Sequence, residues 1–300
     1  MDRLYTMSIF LAVVDEGGFA PAARKLRISP PVVTRAVTEL EETMGVRLLA
    51  RTTRMVRVTD VGARYAADCR RILADVSESE QAATGTHAEP RGKLVITASV
   101  LFGAMYVTPV VTEYLRRYPE TEVECRFVDR VVNMMDEGVD VAIRIGQLPD
   151  SSYQAVRVGQ VRQVVCASPA YLDARGLPLT PEELVEHDIV LASALTASPD
   201  WHFKSERQPL VVVRVKPRLI STSNDAAIGA VVRGFGLTRV ISYMVAPHLA
   251  AGRLKTVLTQ YESAPVPVSV VHHEGRRSTT KVRAFIDLAV TMLRAEGALN

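Results

Sequence analysis

Cysteine is scarce in these three hundred residues: Cys69, Cys125 and Cys166 are odd in number and far apart. That excludes a disulfide framework and a cysteine-based metal site, and the three read as buried thiols in a reducing compartment. No apolar run approaches the roughly 18–20 residues of a membrane helix. Acidic Asp2 and the mixed polarity of MDRLYTMSIF argue against a signal peptide. The expected location is therefore the cytoplasm, with no membrane partner.

Enzyme signatures are missing as well. There is no G-x-S-x-G, P-loop, H-E-x-x-H or paired-cysteine motif. Gly234-Phe235-Gly236 lacks the third glycine of a dinucleotide site and follows a helical pattern, not a strand. His272 and His273 are neighbours on a predicted strand, so their rings point to opposite faces and do not share a metal. We expect no catalytic residue, no metal and no cofactor.

What is present is a composition of 48% hydrophobic and 23% charged residues, that of a globular protein with a full core, at a length suited to two or three domains. The net charge of +3 is unevenly placed. Between Gly18 and Arg57, Arg24, Lys25, Arg27, Arg35, Arg47, Arg51, Arg54 and Arg57 face only Glu39, Glu41 and Glu42. These forty residues carry +5 and the remainder −2, which suggests a polyanionic partner or merely a solvated basic face.

The local pattern decides between the two. Leu4, Met7, Leu11 and Val14 form a helical stripe that ends at Gly17-Gly18. A short helix follows, with Pro21 in its first turn and Ala22, Ala23 and Leu26 for close packing. Ser29 is placed to cap a third helix, with Pro30 and Pro31 where missing amide protons cost little. Val33, Val37, Leu40 and Met44 give it an apolar face. Pro31, Thr34, Arg35 and Thr38 lie opposite, with the acidic residues expected further along, where the helix leaves the phosphates. Helix, turn and polar-faced second helix is the arrangement that enters a major groove. Two β-prone stretches around Arg51-Thr52-Thr53-Arg54 then read as a wing.

The string AARKLRISPPVVTRAVTELEETMGVRLLARTTRMVRVTDVG resembles the DNA-binding domain of LysR-type regulators. The resemblance rests on Ala22-Ala23, Leu26, Ser29, Pro31, Thr34-Arg35, Leu40-Glu41, Gly45, Arg47-Leu48, Arg51 to Arg54, Thr59 and Gly62. It implies contacts to DNA from Pro31, Thr34, Arg35, Thr38, Arg51, Thr52, Thr53 and Arg54. Where relatives carry Ser or Thr this chain has Ala20, where they carry glutamines it has Pro30 and Ala36, and where Gly is common it has Arg27. Neither proline nor alanine can bond an adenine edge through its side chain, so base reading falls on Arg35, Thr34 and Thr38.

The expected organisation is a winged helix-turn-helix over 1–59, a linker helix over 60–84, a hinge over 85–92 and an effector domain over 93–300. Tyr65, Cys69, Ile72, Val76 and Ala83 form a heptad-like seam. The family uses such a helix to pair two chains; the alternative is packing of the seam on its own domain.

Beyond Lys93, strand and helix patterns alternate, with helices expected around Met135 and after a Thr180–Glu183 capping box. A late return strand at 268–272 implies an α/β domain of two lobes, one over about 93–162 and 267–300, the other over about 163–266. This half resembles the family's periplasmic-binding-protein-like effector domain through Ser99, Phe102-Gly103, Pro109, Tyr118-Pro119, Asp140 to Arg144, Ala167-Ser168-Pro169, Tyr171-Leu172 and Gly234-Phe235-Gly236. A ligand is expected at strand C-termini between the lobes, near Ser99, Val100, Phe102, Asp129, Arg144 and Gly146 on one side. Ser193, His202, Phe203, Thr222 and Asn224 are the candidates on the other. For each, helix capping or solvation is the alternative, and for Arg144 a carboxylate partner.

Ser99 at a strand-to-helix switch, with Arg144 nearby, favours a small anionic effector. The resemblance further implies a homo-oligomer, a dimer of dimers, on an interrupted inverted repeat in promoter DNA, with RNA polymerase as a candidate contact. A free-standing solute-binding protein and an effector-free architectural DNA binder are the rival readings.

Overall fold

The computed structural model describes residues 2–51, 56–83, 89–147, 153–192, 198–204, 210–273 and 279–299. The chain divides into two compact units, Met1–Ala88 and Glu89–Asn300.

In the first unit, α1 (Arg3–Asp15) starts where the Asp2 carboxylate accepts the Leu4 amide. The expected four-residue stripe is too narrow: Met7, Ile9, Phe10, Leu11, Ala12 and Val13 are all buried, with Leu4 and Val14 at the margin. A helix apolar on most sides is a central helix, and here α2 (Phe19–Leu26), α3 (Pro30–Met44) and α4 (Asp60–Ala83) all pack on it. The small side chains of Ala22 and Ala23 are buried in α2. After them Arg27 sits in the left-handed region (φ 56°), with Ile28 donating its amide to Ala23 O at 3.1 Å. Ser29 holds the extended N-cap backbone of α3 but its hydroxyl makes no capping bond.

The residues after α3 form a two-stranded ribbon, β1 (Leu49–Arg51) against β2 (Val56–Val58), paired Leu49 to Val58 and Arg51 to Val56. Glu41, expected where α3 leaves the phosphates, is only 4% exposed. Its Oε1 accepts the amides of Leu48 and Leu49 at 2.8 and 2.9 Å. Thr59 works from the other side, donating its hydroxyl to Arg47 O at 2.9 Å and accepting the Gly62 amide at 2.9 Å. Gly62 has no alternative there, since a Cβ would lie 2.0 Å from Leu48 O.

The seam on α4 is shared differently from the expectation. Ala66 and Cys69 are fully buried in the core of their own unit, Tyr65 stacks on Phe10 at 5.6 Å, and Arg70 pairs with Asp15 of α1. The first three turns of α4 therefore belong to the helical core.

The second unit holds two five-stranded sheets. The first has the order β4 (Thr121–Phe127), β3 (Gly92–Ala98), β5 (Val141–Ile145), β14 (Val266–His273) and β6 (Tyr153–Val161). The other has the order β11 (Pro217–Ser221), β8 (Ile189–Ala192), β12 (Leu237–Ile241), β7 (Gln163–Ala167) and β13 (Lys255–Val257). In each, four strands run the same way and one, β14 in the first and β7 in the second, runs against them. Two passages join the lobes: β6 runs almost directly into β7, and the chain returns from β13 to β14. The expected two-lobed α/β architecture is what the structure shows. A ribbon of β9 (Asp200–Phe203) and β10 (Val211–Arg214) adjoins the second lobe.

Helices flank the sheets: α5 (Val100–Phe102), a π turn (Gly103–Val107) and α6 (Thr108–Arg117) in succession, then α7 (Pro169–Arg175), α8 (Asn224–Val232), α9 (Ser242–Ala250) and α10 (Thr280–Arg294). Around Met135 there is a turn, not a helix, because Asn133 Oδ1 accepts the Met135 amide at 3.1 Å and Gly138 follows at φ 65°. The Thr180 box is also incomplete: Glu183 reaches back to the Leu179 amide at 2.9 Å, and Pro181–Glu186 winds as a 3-10 helix. No described helix is long and apolar enough to cross a membrane.

The left-handed turn after α2 yields a direct test. A Cβ in that region is strained by roughly 1–2 kcal/mol, offset in part by the added chain entropy of glycine. Arg27→Gly should raise the stability of the first unit by about 0.5–1 kcal/mol in a urea titration, and Arg27→Ala should not. An equal gain from alanine would place the cost in the arginine's charge and not in its backbone.

Candidate functional site

The first candidate surface is the outer face of α3. Pro31, Thr34, Arg35 and Thr38 lie together on it, and they share a shallow concavity with Pro30, Glu39 and Glu42. The Thr34 hydroxyl gives its proton to Pro30 O at 3.1 Å, which leaves its lone pairs outward. Ala36 is not on this face; it is fully buried in the helical core. The acidic residues are closer than expected, for Glu39 Oε1 holds Arg35 Nε at 2.7 Å. Arg51 occupies the last position of β1, while Thr52, Thr53 and Arg54 lie outside the described residues.

The second candidate is a cleft of about 310 Å³ in the other unit. Thr97, Ala98 and Ser99 reach it from the end of β3, Val128 to Val131 from the end of β4, and Ile143, Arg144 and Ile145 from β5. Its opposite wall is Ile241 and Tyr243, at the junction of β12 and α9. Strand ends from both sheets thus converge, as parallel α/β sheets arrange their binding crevices.

Of the residues expected here, Ser99, Asp129 and Arg144 line the cleft. Val100 is beside it and gives its amide to Asp129 Oδ1 at 3.0 Å, so the helix start expected to attract an anion already holds a carboxylate. Gly146 follows β5 with φ 117° and gives its amide to Pro267 O. Phe102 turns the other way and is fully buried against Tyr106 and Tyr243, with ring centroids 5.1 Å from each.

On the second lobe, none of the described candidates is among the residues that line this cleft. Phe203 is in the core of that lobe, with the Arg239 guanidinium over its ring at 5.1 Å; His202 is exposed on β9 and accepts Arg239 through its carbonyl. Thr222 is exposed in the turn before α8. Asn224 is buried at the start of α8, its Oδ1 without a partner. Ser193 lies outside the described residues. Among the residues that sequence reasoning missed are Thr97, Arg130 and Tyr243, the last with its phenol 3.4 Å from Ser99 Oγ. Burial pushes its ionisation up to about 12, so the hydroxyl stays neutral at any physiological pH.

Arg144 is the cleft's central cation. One terminal nitrogen donates to Val132 O, and burial pulls its ionisation below the ordinary value, against the attraction of Tyr153 and Glu137. Arg130 lies at the rim, its guanidinium held by both oxygens of Glu137 at 2.7 Å. The cleft therefore offers the guanidiniums of Arg144 and Arg130, the Asp129 carboxylate and the hydroxyls of Thr97, Ser99 and Tyr243 among apolar side chains. Among the described residues no group of His, Cys, Asp and Glu could hold a metal.

Residues 4–63 match the family described as "Bacterial regulatory helix-turn-helix protein, lysR family", and residues 87–294 match the LysR substrate binding domain. A transcriptional regulator of Xanthomonas campestris is 34% identical over 95% of this chain and 84% of its own. A transcriptional repressor of Pseudomonas aeruginosa is 30% identical over 96% and 91%. In structure, the LysR-type transcriptional regulator CrgA of Neisseria meningitidis matches with a TM-score of 0.63 at 27% identity, over 96% of this chain and 98% of that one.

The helix beside the cleft depends on Gly103, where a Cβ would sit 2.4 Å from the Phe127 ring. Phe127 ends β4, two residues before Asp129. Gly103→Ala should overpack this contact and cost about 1–3 kcal/mol in thermal unfolding of the second unit. An unchanged midpoint would mean that Phe127 swings aside freely and does not set the wall of the cleft.

Proposed function

The chain belongs to the LysR family of bacterial helix-turn-helix transcriptional regulators, and on that premise we propose a sequence-specific regulator of promoter DNA controlled by a small molecule in the cleft. One observation carries the reading: the DNA-binding and substrate-binding halves of the family lie in one chain, each with an organised polar surface. Pro31, Thr34, Arg35 and Thr38 of α3 read the major groove, with Arg51 to Arg54 at the wing contacting backbone or minor groove. The relatives matched are transcriptional regulators, which supports regulation over catalysis. The oligomer is a dimer of dimers on an interrupted inverted repeat, a symmetry that matches two half-sites.

The effector follows from the cleft's charges. Arg144 supports an anionic group, with the hydroxyls of Ser99 and Tyr243 as further partners. Asp129, whose Oδ1 already holds Val100, supports a hydrogen-bond donor on the same ligand. A volume of about 310 Å³ suits a compact metabolite. Binding there shifts the lobes and, through the oligomer, the shape of the bound DNA.

Two measurements test the two halves. Arg35→Ala should weaken binding to the selected operator by about 1–3 kcal/mol and leave random DNA nearly unaffected. Equal losses on both would make Arg35 a phosphate contact only. In a thermal-shift screen of small carboxylates, Ser99→Ala should weaken a hit about ten- to hundredfold, the worth of a hydroxyl bond to a charged group. Hits that stabilise both proteins alike would remove Ser99 from the site.

A further inference from the structure

We propose that Glu39 is a positioning residue for Arg35, holding the guanidinium by its Nε so that both terminal nitrogens face one guanine. The inference rests on the reading of α3 as the major-groove helix. Arg35 Nε and Glu39 Oε1 are 2.7 Å apart across one helical turn, and the arginine side chain is 76% exposed. An ion pair this open stabilises the free protein little. Its consequence is geometric.

A guanidinium has five N–H groups in a rigid fork. Guanine presents two acceptors in the major groove, O6 and N7, which the two terminal nitrogens can meet together. With Nε occupied by the carboxylate, that edge remains free. Without the tether, the long side chain can turn toward the phosphates, which carry no sequence information. Arg35 is also the one cation in the concavity, whose prolines bring no side-chain donor and whose Thr34 proton is already given to Pro30 O. Reading of a guanine on this face therefore depends on where that guanidinium points, with the Thr34 and Thr38 hydroxyls as the neighbouring polar groups.

Glu39 has a second, separable effect. Its negative charge opposes every DNA sequence alike, whereas the tether alters only the preference for one base over another. The two effects predict different behaviour in binding to random and to selected DNA.

The experiment uses the full chain. Its preferred site is selected from random duplexes, and wild type, Glu39→Ala, Glu39→Gln, Arg35→Ala and the Arg35→Ala/Glu39→Ala double variant are titrated on that site. The same proteins are titrated on its single-base variants and on random DNA, with circular dichroism to show that α3 is intact. Glu39→Ala should tighten random binding and reduce the preference at the base pair read by Arg35 by about tenfold. Glu39→Gln keeps an oxygen that accepts from Nε, so it should tighten random binding similarly yet retain most of the preference. With Arg35 already replaced, removing Glu39 should change specific and random binding by the same factor.

Three results would overturn the proposal. Intact preference in Glu39→Ala would reduce Glu39 to a bulk charge. Preference lost at a base pair other than the one affected by Arg35→Ala would make Glu39 itself a base contact. No change of preference in Arg35→Ala would remove the base contact that the tether serves, and this last result is read without any Glu39 variant.

Discussion

The buried carboxylate of Glu41 is the constraint on which the DNA-binding unit depends. A carboxylate withdrawn from water costs several kcal/mol unless donors replace the lost hydration. Here the Leu48 and Leu49 amides replace it at Oε1, and Arg47 approaches Oε2 at 3.3 Å. The same bonds satisfy two buried backbone donors at the point where the chain leaves α3 and enters β1. Thr59 and Gly62 then tie that segment to the start of α4. The end of α3 and the strand β1 are thus held in one geometry by hydrogen bonds and not by packing alone.

The second unit uses the same device at its own junctions. Asp140 Oδ2 accepts the Val95 amide at 2.8 Å and locks the approach to β5 against β3. Asp129 accepts the Val100 amide where β3 turns into α5. The Asp129 carboxylate therefore ties the turn after β3 to the turn after β4 at the edge of the cleft, where Arg144 and the hydroxyls of Ser99 and Tyr243 are further polar groups. The cleft draws on both lobes, with Tyr243 opposite the ends of β3 and β5. A ligand seated there would touch both sheets and so bias their separation.

What the sequence made legible was the periodic part. Helices and strands with a strong pattern emerged, as did the two-lobed plan, because alternating strands and helices with a late return strand permit few arrangements. The errors were local. The stripe on α1 was read too narrowly because a helix surrounded by three others has no polar side to reveal its orientation. Met135 looked helical, but the side chain of Asn133 offers the backbone a competing bond. Glu41 was grouped with Glu39 and Glu42 as acidic residues past the phosphates; its burial against the Leu48 and Leu49 amides, seven and eight positions on, carried no periodic signal. In the cleft, Ser99, Asp129 and Arg144 were legible as strand-end residues. Phe102 is a core residue because the π turn beside it brings the ring under Tyr243, and Tyr243 itself carried no sequence signal, since its contact with Ser99 spans 144 positions.

Amide hydrogen exchange at Leu48 and Leu49, compared between the wild-type chain and Glu41→Ala, tests the claim about the Glu41 carboxylate most directly. Two buried donors without an acceptor should open, so both amides and the β1–β2 pairing should lose protection by orders of magnitude while the centre of α1 keeps its own. Unchanged protection at Leu48 and Leu49 would contradict the account and place the stability of the wing in packing instead.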